Sequence, residues 1–178
     1  CSGLFKCLNV PDAWSGFYMA HRAEHNPIHN DDIIYTPDVL VFKSDTVKPE
    51  LMDEADWYTV DVITCAAPNL REKPSNAFNT GDGKDAIKIT DKDLLAIHEK
   101  RLRRILDVAL SNKVETIVLG AFGCGAFMNN PNVVALASKN VVNEYLYAFK
   151  NIEFAVYCSP KDDTNYRIFD GVLKPYTK

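Results

Sequence analysis

Gly123-Cys124-Gly125-Ala126-Phe127 is the stretch of this chain whose residue types most invite chemistry. It follows the apolar, β-branched run Thr116-Ile117-Val118-Leu119 and precedes Asn130-Pro131, a preferred N-cap followed by a proline suited to the first helical position. Strand, glycine-containing loop and helix start together turn backbone amides and a helix dipole toward one point, where an anion such as phosphate can sit. The loop is neither of two familiar phosphate motifs. No Gly-Lys-Ser/Thr follows it, and Met128 stands where a dinucleotide fingerprint needs its third glycine. A tight turn that needs backbone freedom at Gly123 and Gly125 is the simpler alternative.

Other residues near this stretch have candidate roles. Cys124 stands at the end of a strand and close to a helix N-terminus, a position expected to lower its pKa. No histidine is placed beside it as a base, so a small residue in a crowded turn is the stronger reading. Phe127 could pack on a ribose or a base, or be buried between helix and sheet. Tyr157 and Tyr166 carry the same pair of readings. Separately, His21-Arg22-Ala23-Glu24-His25 matches H-x-x-E-H, which on a helix would set two zinc ligands on one face with Glu24 as base. Pro27 ends that helix almost at once and no third ligand has recognisable spacing, so a zinc hydrolase using His21 and His25 is a remote alternative. Arg101, Arg103 and Arg104 could reach phosphates, but on an amphipathic helix they read as solvated.

The elements that must position these residues can be read in order. Residues 4–8 and 12–25 read as helical. Ile33–Tyr35 and Val39–Phe42 read as short edge strands around Thr36-Pro37-Asp38. Val60–Ala67 reads as a buried strand ending in Pro68-Asn69, and polar residues 70–89 as a lid or a disordered segment. Thr90-Asp91-Lys92-Asp93 opens a helix to about residue 112, with Leu102, Ile105, Leu106 and Ala109 on its buried face. The strand at 116 follows, read as buried on both faces. Then come a helix over 131–149, a strand over 152–158 ended by Ser159-Pro160, and a helix over 165–173. Strands alternating with long helices predict an α/β fold: a three-layer α/β/α sandwich around a mixed, mostly parallel sheet. In such sheets ligands bind beyond the carboxyl ends of the strands, so Ala66–Asn69, Gly123–Gly125 and Cys158-Ser159 are expected to line one crevice.

Composition bounds the class. The chain has 178 residues, enough for one domain with a full core, and no membrane-length apolar run. Its net charge of −4 argues against binding bulk nucleic acid through a basic surface. Five scattered cysteines fit reduced thiols in a cytoplasmic protein better than a disulfide framework. The chain opens on Cys1 and reads from its first residues like the middle of a domain.

Three stretches together resemble one family: Tyr35-Thr36-Pro37-Asp38-Val39 with Val41-Phe42; Val62-Ile63-Thr64-Cys65-Ala66-Ala67-Pro68-Asn69; and Val118 through Phe127 with Asn130-Pro131. They are similar to the microbial-type poly(ADP-ribose) glycohydrolase domain, a divergent branch of the macrodomain fold, and the similarity starts at Ser2-Gly3-Leu4-Phe5. The resemblance implies one macrodomain-like domain over 1–178 that binds ADP-ribose without a cofactor or metal. It implies that the loop Gly123, Cys124, Gly125, Ala126 and Phe127 holds the diphosphate, with Phe127 beside the ribose next to the scissile bond. Ala67 and Asn69 line the pocket, and Tyr157 and Ser159 lie toward the adenine. In the family a glycine-rich loop ending in Gln-Glu-Glu provides the glutamate that protonates the leaving oxygen. This chain has no Gly-Gly-Gly and no Gln-Glu-Glu, and Glu24, Glu50, Glu54 and Glu72 fit no such context. In the family that loop lies just before the point matching Cys1, so the catalytic loop and amino-terminal strands are expected either to precede these residues or to have been lost in this member. Two functions follow: the ADP-ribose-binding portion of a glycohydrolase-like enzyme, or a module that binds ADP-ribose without turnover. Strands lacking their neighbours would expose apolar faces, so a partner is expected, either the amino-terminal segment or another copy.

Overall fold

The computed structural model describes residues 19–76 and 81–174. The helix read at 4–8, and the thiols of Cys1 and Cys7, lie outside them. The described chain is mixed α/β. In order it contains helix α1 (Met19–Ala23), strand β1 (Ile33–Val41), strand β2 (Tyr58–Cys65), helix α2 (Asp91–Ser111) and strand β3 (Thr116–Leu119). Helix α3 (Pro131–Tyr145), strand β4 (Asn151–Phe154) and helix α4 (Thr164–Leu173) complete it.

The helix signals act as read. Thr90 Oγ1 accepts from the Asp93 amide at 3.1 Å and caps α2. Asn130 caps α3, its Oδ1 taking the Asn132 amide at 3.1 Å with Pro131 in the first turn. The buried stripe of α2 packs on α3 through Ile105, Leu106 and Ala109 with Val141, and Ile117 and Phe149 join the same core. A second core forms where α3 meets α4, from Val134, Ala135, Phe169 and Leu173. Helix α3 stops at Tyr145, short of the expected 149, yet Phe149 still reaches the core.

The strands differ from the sequence reading in instructive ways. β1 is one strand with a bulge rather than two strands, its register shifting between Thr36 and Val39. Pro37 cannot donate to a ladder, and the bulge takes it out of register. The Asp38 amide, at φ 55°, donates instead to Asp61 Oδ1 at 3.0 Å, and the Tyr35 hydroxyl donates to the same carboxylate. β1 pairs with β2 antiparallel, and β3 pairs with β4 in parallel. Among the described residues these remain two separate two-stranded sheets. β3 is not buried on both faces as read, since Val118 is 60% exposed, and β2, read as buried from Val60, has Val60 exposed too. The reason lies between the sheets. A cleft of about 730 Å³ is lined by Val60 and Ile63 of β2, Ile117 and Leu119 of β3, and Leu102 and Ile105 of α2. The apolar sequence of these strands is suited to cover that the described residues do not supply. Among those residues no helix is long and apolar enough to cross a membrane.

Candidate functional site

Two loops meet beyond the carboxyl ends of β2 and β3, and a buried side chain ties them together. Asn129 Nδ2 donates to the carbonyls of Pro68 at 2.7 Å, Gly123 at 3.0 Å and Phe127 at 3.2 Å. Its Oδ1 accepts from His98 Nε2 at 2.9 Å, which fixes the amide's orientation. The Leu70 amide also donates to the Phe127 carbonyl, at 2.9 Å. Ala67 and Leu70, on either side of Pro68-Asn69, therefore lie against the glycine loop. Gly123 has φ 78°, and a side-chain carbon there would lie 2.6 Å from Asn129 Nδ2 and 2.8 Å from the Ala67 methyl. Only glycine fits such a backbone and such a gap.

Inside the loop, the Cys124 amide bonds Ala121 O, the Met128 amide bonds Gly125 O and the Asn129 amide bonds Gly123 O. The amides of Gly125, Ala126 and Phe127 find no acceptor among the described residues. Gly125 and Ala126 are exposed. These three donors are thus left unpaired among the described residues. The start of α3 contributes less than the sequence implied. Asn130 occupies its amides, accepting from Asn132 on the side chain and from Val133 and Val134 on the carbonyl. The helix offers its dipole but not its first donors.

Cys124 departs from expectation. Burial pushes its thiol up to about 12, so it stays protonated and is no nucleophile at neutral pH. Burial likewise raises Cys65. Phe127 is half-buried, its ring 6.0 Å from the His29 ring and its centroid 5.7 Å from the Arg71 guanidinium. His29 is held in turn, its Nδ1 2.8 Å from the Ala67 carbonyl and its Nε2 3.0 Å from Asp82 Oδ1. Asn69, fully buried, donates to Asp82 Oδ2 at 2.7 Å and to Pro74 O. Part of the segment after β2 is thus anchored. Pro74, Gly81 and Asp82 are buried and the Ser75 amide bonds Gly83 O, while residues 84–88 are exposed.

A buried arginine locks the floor. Arg101 is 2% exposed and donates to Asp31 Oδ1, Ala66 O, Ile28 O and His29 O at 2.7 to 3.1 Å. The solvated reading of Arg101 was wrong, because it stands in the buried stripe of α2. The reading suits Arg104, which is exposed, while Arg103 bonds Glu144. Burial pushes the Asp31 carboxyl up, but its bonds to Lys100 and Arg101 outweigh that and hold it below the usual carboxylate value. Burial lowers His98, keeping it a neutral donor to Asn129.

Tyr157 and Ser159 take no part in this network. Tyr157 is 86% exposed beyond the end of β4, and Ser159 bonds Asp162 in a turn. The H-x-x-E-H motif loses its helical frame, because α1 ends at Ala23 and His25 has φ 49°. His21 instead bonds Asp32 and Asn30. No three His, Cys, Asp or Glu side chains among the described residues are grouped to hold a metal. Sequence reasoning passed over His29, His98, Asp82 and Asn129. For His98 and Arg101 a signal existed: polar residues at the helical spacing of Leu94, Ile105 and Ala109 must be buried, and so must be bonded.

Comparison with known proteins agrees with this geometry. Residues 1–44 match the family model of the microbial-type PARG catalytic domain. No curated protein matches the chain. Among solved structures, the chain is similar to the poly(ADP-ribose) glycohydrolase of Deinococcus radiodurans in complex with ADP-ribose, with a TM-score of 0.77 and 28% identity over 98% of this chain. It is similar also to the enzyme of Thermomonospora curvata bound to the inhibitor ADP-HPD, with a TM-score of 0.74 and 26% identity over 89% of this chain. The chain spans 65% of the first protein and 55% of the second.

Proposed function

We propose that these residues form the ADP-ribose-binding portion of a poly(ADP-ribose) glycohydrolase-like enzyme, one that hydrolyses the glycosidic bond of ADP-ribose polymers or conjugates. The observation that carries this reading is the set of free amides at Gly125, Ala126 and Phe127, held open by Asn129 beside an aromatic ring. Two similar proteins hold ADP-ribose or ADP-HPD in their structures. A diphosphate presents several acceptor oxygens to these three unpaired donors, and charge-assisted bonds of this kind are the strong ones. The ring of Phe127 then meets the adjoining ribose. In this reading Ala67 and Asn69 support the loop, and Tyr157 and Ser159 meet the adenine only if the segment after β4 folds toward the site.

Hydrolysis requires a carboxylic acid to protonate the departing oxygen. No Gln-Glu-Glu occurs in these 178 residues, so the proposal places the general acid outside them. That same absence favours the second reading, a module that binds ADP-ribose without turnover. The apolar cleft between β2 and β3 supports a covering partner, either an amino-terminal segment carrying further strands or a second copy. Free thiols at Cys65, Cys124 and Cys158 fit a cytoplasmic setting.

The purified 178-residue chain should bind ADP-ribose in calorimetry and release none from ADP-ribosylated protein. It should also run larger than a monomer in light scattering. Absence of binding would defeat both readings, and release of ADP-ribose would show that the general acid has been misplaced. A well-behaved monomer would remove the case for a covering partner.

A further inference from the structure

Resting on that reading, we infer that Arg71 is the positioning residue that makes the pocket select ADP-ribose over ADP, by holding the Phe127 ring where the terminal ribose must pack. The guanidinium is itself fixed on its far side. Arg71 Nη2 donates to Pro74 O at 2.8 Å and Nε donates to Asn69 Oδ1 at 3.1 Å. The guanidinium is thereby held over the Phe127 ring, 5.7 Å from the centroid, and the His29 ring lies tilted to the same ring at 6.0 Å. The anchors are firm in turn, because Asn69 is fully buried and bonded to Asp82, and Asp82 meets His29. One connected set of bonds thus holds both neighbours of a single ring. A ring in a loop next to the exposed Gly125 and Ala126 would otherwise be free to swing about its χ angles. Clamped, it offers the ribose a fixed face, and fixed contacts are not weakened by the entropy of ordering them on binding. The fork matters as well as the charge, since a lysine cannot bond two acceptors in one plane and stack on the ring together.

The test compares ADP-ribose with ADP, which shares the diphosphate but lacks the terminal ribose. Calorimetry on the wild-type chain and on Arg71→Ala should show ADP-ribose affinity falling about tenfold, within the span of a desolvated cation–π contact. ADP affinity should stay within about twofold, because the loop amides are untouched. Arg71→Lys should behave like Arg71→Ala. In the Arg71→Ala/Phe127→Ala double variant the loss should equal that of Phe127→Ala alone, since Arg71 acts through the ring. A ligand-free readout accompanies these. In fluorophenylalanine-labelled protein, the 19F resonance lost in Phe127→Leu should shift in both Arg71 variants. Equal weakening of ADP and ADP-ribose, full selectivity in Arg71→Lys, additive losses in the double variant or an unmoved 19F line would each overturn the inference. Failure of the wild-type chain to bind ADP-ribose, with the 19F shift present, would instead defeat the functional reading and leave the clamp standing.

Discussion

Replacing Arg101 by methionine should destabilise the folded chain by about 3–5 kcal/mol, against about 0.5 kcal/mol or less for Arg104→Met on an exposed part of the same helix. Methionine matches the volume but not the bonding. The change strips donors from the carbonyls of Ala66, Ile28 and His29 and leaves the Asp31 carboxylate to Lys100 alone. Unpaired buried acceptors each cost about 1–3 kcal/mol, and a domain has only about 5–15 kcal/mol in total. Urea unfolding of the two variants measures the difference, and a loss below about 1 kcal/mol in Arg101→Met would show that water or repacking replaces the guanidinium. A pH dependence accompanies it. The Asp31 carboxyl is held below its unfolded value of 3.8, so its contribution is present above that pH and fades as pH falls through the lower folded value. Unfolding curves for Asp31→Asn should therefore be flatter than wild type below about pH 4.

The second large effect separates two glycines two residues apart. Gly125→Val should weaken ADP-ribose binding by at least about 100-fold while leaving the melting temperature nearly unchanged. Gly123→Val should lose binding and stability together. At Gly125 a side-chain carbon meets nothing within 4 Å, so the fold tolerates it, but a branched side chain covers the free amides that the diphosphate needs. At Gly123 the left-handed backbone disfavours any side chain, and the added carbon displaces Asn129, which joins the two loops. Calorimetry and thermal melts on both variants settle the matter. Gly125→Val protein that still binds ADP-ribose at wild-type strength would end the assignment of the loop to phosphate.

Local signals account for what sequence determined about this protein. Thr90 with Asp93 and Asn130 with Pro131 set where α2 and α3 begin, because a cap is a contact between neighbours in the chain. The stripe of Ile105, Leu106 and Ala109 and the glycine loop after β3 depend on spacing and backbone freedom, which are written in the residues themselves. The mixed α/β class followed from the same alternation. Tertiary structure alone decided the rest, since it turns on partners far apart in sequence. Arg101 lies inside because acceptors 35 to 73 residues away wait for it. Cys124 holds its proton because packing desolvates it, against the pull of the nearby helix. His29, Asn69, Asp82 and Arg71 gather near Phe127 through bonds between residues up to 53 apart in the chain. Burial of a polar group is stable only when distant partners satisfy it, and that condition is visible only when the chain is folded.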